Sequence, residues 1–133
     1  MTLGTQLAIL VTILSLLVYF WTSMKVGAAR GRYGIKAPAI TGHQEFECYF
    51  RVQQNTMEQI ILFLPGLWLF YMLMPGIWAG LIGLVWPVGR IIYAYAYYAD
   101  PEKRTFGMLM TLLPTTILLI GSLVLLIMTA TGI

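Results

Sequence analysis

Polar groups able to do chemistry are few in this chain, and they are spaced as helical stripes. Arg51, Asn55 and Glu58 follow one another at i, i+4 and i+7, which puts them on one face of a helix, with Gln54 beside them. Arg90, Tyr93 and Tyr97 form a second stripe at spacings of three and four, and Arg104 follows a short way on. The segments that carry them are otherwise apolar. A charged side chain at mid-bilayer costs at least about 2.5 kcal/mol on insertion scales, so Arg51 and Glu58 must pair, line a wet cavity, or both. The plainest alternative is an internal Arg51–Glu58 bridge that only holds helices together. Covalent chemistry by the protein itself is poorly supplied. The single cysteine, Cys48, excludes an intramolecular disulfide and a multi-cysteine metal site, and the single histidine, His43, argues against His-based metal cages and a Ser-His-Asp triad. No metal site is expected. Cys48 reads as a packing residue and His43 as a solvated loop residue.

The elements that must position these groups are membrane helices. Of 133 residues, 59% are hydrophobic and 10% charged, and the mean hydropathy is +0.82; soluble domains carry about 25% charged residues. The net charge of +3 lies in short loops rather than a patch, which argues against nucleic acid as a partner. The first apolar run, Leu3 to Met24, lacks the basic start of a signal peptide and is long enough to span a bilayer. A polar, glycine-punctuated loop is expected from Lys25 to about Gln44. Further spans are predicted at Phe46–Leu73, Trp78–Tyr98 and Glu102–Thr129, with a Met74-Pro75-Gly76 turn between the second and third. Asp100 suits an N-cap and Pro101 the first position of the fourth helix. The expected architecture is thus all-α, a single domain over residues 1–133 built as an integral membrane four-helix bundle.

Lys25, Arg30, Arg32 and Lys36 in the first loop, with Lys103 and Arg104 in the third, place both loops in the cytoplasm and both termini on the opposite side. Pro65 and Pro114 fall inside spans, which tolerate them and kink there. An aromatic belt at headgroup level accounts for Tyr98 and for Tyr95, but not for Arg90, Tyr93 and Tyr97 on one stripe, because a belt runs around a helix rather than along it. Arg104 by itself reads as a basic membrane anchor.

Two stretches carry a family resemblance. EFECYFRVQQNTMEQ and the later GRIIYAYAYYADPEKR resemble the motif region of the MAPEG superfamily, the membrane-associated proteins in eicosanoid and glutathione metabolism, and most of all its microsomal glutathione transferases. The E-F-x-x-x-x-R-x-Q-x-N-x-x-E pattern, the R-x-x-Y-x-x-x-Y with a downstream arginine, and the short basic loop holding Arg30 match in order and spacing. The resemblance implies a homotrimer that binds glutathione between adjacent subunits near the cytoplasmic face. Arg51, Asn55, Glu58, Arg90, Tyr93 and Tyr97 would serve the site from one subunit, and Arg30 and Gln53 would reach it from the neighbour. Gln53 lies about 200° around the helix from Arg51, at roughly 100° per residue, which accords with that division. The guanidinium groups suit the two carboxylates of glutathione and Glu58 its ammonium.

The activity so implied is transfer of glutathione to lipophilic electrophiles, with reduction of lipid hydroperoxides as a possible companion activity. Only the thiolate is nucleophilic, so a cation near sulfur raises the reactive fraction. Arg104 matches the family's arginine for that role, while Tyr97 or Tyr93 could donate a hydrogen bond to sulfur instead. The chain departs from the family pattern at Gln59, where many relatives have tyrosine, and at Gly31, where leukotriene-C synthase has a second arginine. The latter favours a general transferase or peroxidase. A non-catalytic lipid-binding adaptor of the same superfamily, and a purely structural membrane protein, are the competing readings.

Overall fold

In lipid every backbone amide of an isolated span must be bonded within its own segment, so apolar stretches of this length can only be helices. The computed structural model describes residues 1–133 throughout and contains α1 (Leu3–Tyr33), α2 (Gln44–Leu73), α3 (Trp78–Ala99) and α4 (Thr105–Thr131), with a 3₁₀ turn over Pro101–Arg104 leading into α4. All four spans are long and apolar enough to cross a membrane. The protein is a multi-pass, all-α membrane bundle, as its hydropathy predicts.

The expected loop from Lys25 is shorter than hydropathy indicates. α1 continues from Met24 to Tyr33, well beyond its apolar run, and Gly34 ends it in the left-handed conformation at φ 70°. Hydropathy marks where a chain leaves lipid, whereas a helix stops only where its backbone is capped. The extra turns stand because Val26 and Ala29 bury themselves against Phe46 at the start of α2. His43 is exposed, as expected of a loop residue, yet it also serves the fold, since its Nδ1 accepts from the Glu45 amide at 3.2 Å and caps α2. At the third connection Asp100 caps as predicted, its Oδ1 accepting from the Glu102 amide at 3.0 Å, although the turn that follows is 3₁₀ and not α.

α2 and α3 each pack against every other helix, while α1 and α4 lie on opposite flanks of that pair. The ring of Phe63 on α2 stacks on that of Trp86 on α3 at 4.8 Å and 5°, and Val11, Leu67 and Leu118 close around them. Small residues set how near the backbones come. A Cβ on Gly80 of α3 would lie 2.5 Å from Leu7 Cβ of α1, and one on Gly107 of α4 would lie 2.5 Å from Tyr93 Cα and N of α3. α2 and α4 run unbroken through Pro65 and Pro114, and α3 does the same through Pro87, a third interior proline. Large apolar side chains such as Phe20, Ile61, Leu113 and Ile120 point outward, as lipid requires.

Candidate functional site

The centre of the polar arrangement is Arg90. It is fully buried between α2 and α3, and one guanidinium nitrogen donates both to Asn55 Oδ1 at 3.0 Å and to Thr56 Oγ1 at 2.8 Å. Thr56 passes the chain on by donating to the Val52 carbonyl at 2.7 Å. The guanidinium also lies 4.1 Å from the centroid of the Tyr93 ring, a close cation–π contact, and 5.8 Å from that of Trp86. Its Nε and its other terminal nitrogen have no partner. Arg90 therefore braces Asn55 and Tyr93 from behind.

The predicted stripe on α2 divides in two. Asn55 is half-buried and held by Arg90, whereas Arg51 and Glu58 are exposed on the surface of the single chain. The internal Arg51–Glu58 bridge does not form, because seven residues separate the two by about 10 Å along the helix axis. The stripe on α3 is brought together as expected: Tyr93 is buried, Tyr97 half-buried, and their ring centroids are 5.6 Å apart. Tyr98 is not a belt residue. It stacks on Tyr49 of α2 at 4.3 Å, and its hydroxyl is buried. Tyr95 is 58% exposed and does face outward.

Gly107 fixes the position of Arg104. Because Gly107 sits on the backbone of Tyr93, the start of α4 is pressed against α3 at the level of the tyrosines. Arg104, three residues earlier, ends the 3₁₀ turn, exposed, with one guanidinium nitrogen donating to the Pro101 carbonyl at 2.7 Å. Arg90 of α3 and Gly107 of α4 thus both meet Tyr93, the first across its ring and the second against its backbone.

Arg30 and Gln53 lie on a different side of the chain. Gln53 donates to Ser23 Oγ on α1 at 3.1 Å, and Arg30 donates to the Ala39 carbonyl at 2.7 Å while its guanidinium sits 5.1 Å from the Phe46 ring. The Gln53–Ser23 bond also fixes depth. Ser23 stands at the end of the apolar run of α1, so Gln53 and Arg51 lie at the membrane boundary, and Glu58 is about one and a half turns deeper. The insertion cost reckoned for mid-bilayer thus falls mainly on Glu58 and on Arg90. Three participants carry little signal in the sequence: Thr56 and Ser23, small hydroxyls that read as ordinary helix residues, and Gly107, whose closeness to Arg104 is the only hint.

These features define a class: a four-helix membrane bundle with a buried arginine–tyrosine cluster between its second and third helices. The chain belongs to the MAPEG family, whose model matches residues 8–124. It is 45% identical over 114 residues to an uncharacterised protein of Synechocystis sp., covering 86% of this chain and 83% of that one. It is 36% identical over 102 residues to microsomal glutathione S-transferase 2 of Homo sapiens, covering 77% and 69%. It is 34% identical over 94 residues to leukotriene C4 synthase of Bos taurus, covering 71% and 63%.

Proposed function

We propose that this protein is a membrane glutathione transferase acting on lipophilic electrophiles, with a peroxidase activity toward lipid hydroperoxides. The observation that carries the proposal is the buried Arg90, which holds Asn55 at 3.0 Å and the Tyr93 ring at 4.1 Å beside Tyr97, on the side of α2 where Arg51 and Glu58 are exposed. The named relatives include a glutathione S-transferase and a leukotriene C4 synthase. Glutathione would lie against α2 and α3, its carboxylates toward Arg51 and its ammonium toward Glu58, while Asn55 and Tyr93, braced by Arg90, supply neutral hydrogen-bonding partners. A second copy would close the face. Its Arg30 and Gln53, which point away from Arg51 within one chain, would become useful only across such a contact, in a closed trimer as the family resemblance implies.

Chemistry then proceeds at sulfur. Arg104 would stabilise the thiolate, with the hydroxyl of Tyr97 or Tyr93 as the alternative donor to sulfur. The thiol proton leaves to water, sulfur attacks the electrophilic carbon, and the leaving group departs with the bonding pair. With a hydroperoxide, sulfur takes the terminal oxygen, an alcohol is released, and a second glutathione converts the sulfenic acid to the disulfide and water. The electrophile arrives sideways from the bilayer. The basic first and third loops face the cytoplasm, the side where glutathione is abundant and reduced. Titration of the detergent-solubilised protein with glutathione in a calorimeter tests the reading: saturable binding is expected, and its absence would remove both the site and the activity.

A further inference from the structure

A second binding feature lies apart from that site, on the outer surface between α1 and α3. Leu14, Leu17, Val18 and Trp21 of α1, with Ile91 and Tyr95 of α3, line a groove of about 340 Å³ whose walls are wholly hydrophobic. That volume falls at the lower end of the roughly 300–1,000 Å³ of small-molecule sites. Trp21 and Tyr95 stand at one end, ring centroids 5.5 Å apart, and the Lys25 ammonium lies 5.7 Å from the Trp21 ring.

The groove runs along α1 from Leu14 to Trp21, about 10 Å, and together with Lys25 beyond its aromatic end it spans one lipid leaflet. From Leu14 to Lys25 is eleven residues of continuous helix, about 16 Å at 1.5 Å per residue, against about 15 Å for half of a 30 Å hydrocarbon core. The aromatic pair therefore sits at headgroup level, with apolar lining reaching to the midplane and a cation above. That end of the molecule is also its most basic, since Arg30, Arg32 and Lys36 follow Lys25 on the same side. We propose that this groove is a binding site for an anionic phospholipid, one acyl chain lying along Leu17 and Leu14 and the phosphate paired with Lys25. A neutral lipid would fill the groove equally well but would give up the charge pairing. A second copy of the chain would not need a lysine at its rim.

Brominated lipids test this, because bromine quenches a tryptophan that it touches. The full-length protein would be reconstituted in phosphatidylcholine vesicles containing brominated phosphatidylglycerol or, in the same proportion, brominated phosphatidylcholine. The Trp21 signal is obtained as the difference between wild type and Trp21→Phe. Quenching of Trp21 should favour the anionic lipid by roughly fivefold in apparent affinity, the worth of one lysine at an anionic membrane surface, and Lys25→Gln should abolish the preference. Leu17→Phe, which narrows the groove, should reduce quenching by both lipids. Equal quenching by the two lipids, or a preference that survives in Lys25→Gln, would overturn the proposal, as would a Trp21 shielded from both lipids by a second copy. Lys25 is half-buried and makes no hydrogen bond within the chain, so its replacement by glutamine leaves the bundle able to fold.

Discussion

Replacing Arg90 by methionine separates bracing from folding. The guanidinium makes two charge-assisted hydrogen bonds, each worth about 1.5–3 kcal/mol, and a desolvated ring contact worth about 2 kcal/mol. Against these stand two buried nitrogens without partners, at about 1–3 kcal/mol each, and the cost of holding a cation inside the bundle. The opposing contributions cancel to within a few kcal/mol. An apolar side chain of similar reach should therefore shift the thermal midpoint in detergent by no more than about 10 °C and leave the bundle folded. Asn55 and Tyr93 would lose what holds them, and a ligand site that must order its own donors binds less tightly by about 1–3 kcal/mol, or roughly 5- to 150-fold in the glutathione Kd. Arg90→Lys keeps the charge and loses the planar fork, so it should recover only part of that loss. Calorimetry with glutathione beside thermal unfolding of the same samples gives both quantities. A variant that binds glutathione as wild type does would refute the bracing role, and one that unfolds would make Arg90 a structural residue alone.

Three further outcomes are expected. Arg104→Ala, removing a side chain exposed apart from one bond to Pro101, should alter stability by less than about 0.5 kcal/mol while lowering the conjugation rate at neutral pH. Because a cation lowers the thiol pKa, its loss should move the pH–rate profile upward toward the free-thiol value near 8.5, with activity recovering as pH rises, and an unshifted profile would exclude the role. Gly107→Ala places a methyl group against the Tyr93 backbone, which cannot rotate aside; α4 must retreat, at a cost of about 1–3 kcal/mol seen in thermal unfolding, and Arg104 retreats with it. Glu58→Gln should weaken binding of glutathione but not of its N-acetylated form, so that equal losses for the two ligands would show that Glu58 does not meet the ammonium.

Hydropathy locates the four spans because lipid offers so few alternatives to a helix, and the helical period aligns Arg90, Tyr93 and Tyr97 correctly for the same reason. Periodicity is silent on which side of a stripe looks inward. Arg90 and Arg51 read alike in the sequence, yet one is fully buried and the other exposed. The difference arises from a partner on another helix, since the Asn55 and Thr56 pair gives Arg90 somewhere to donate. Tyr98 escapes the pattern for a similar reason. Its stacking on Tyr49 depends on how α2 and α3 cross, which no local pattern encodes. The end of α1 is hidden from hydropathy because its last turns are stabilised by Phe46, beyond the loop, and by a left-handed glycine that reads equally well as loop.

Those added turns bear on assembly. Arg30 stands on ordered helix, held by the Phe46 ring and the Ala39 carbonyl, so a neighbouring copy would meet a side chain already fixed in direction. Less ordering entropy is then lost at the contact. Glu58, meanwhile, is exposed about one and a half turns below the membrane boundary, where an unpartnered carboxylate is unfavourable. Under the proposed arrangement, one event removes that cost, closes the ligand site and brings in Arg30 and Gln53. Ligand binding and subunit association would then be linked: whatever glutathione gains from the closed site is added to the stability of the oligomer. Glutathione at one hundred times its Kd should protect the assembly by about 2.7 kcal/mol for each occupied site, visible as a raised dissociation temperature in native electrophoresis or light scattering. Lone chains would bind it weakly. A glutathione affinity that does not change when the oligomer is dispersed by dilution in detergent would separate the site from the subunit contact and leave Arg30 and Gln53 outside it.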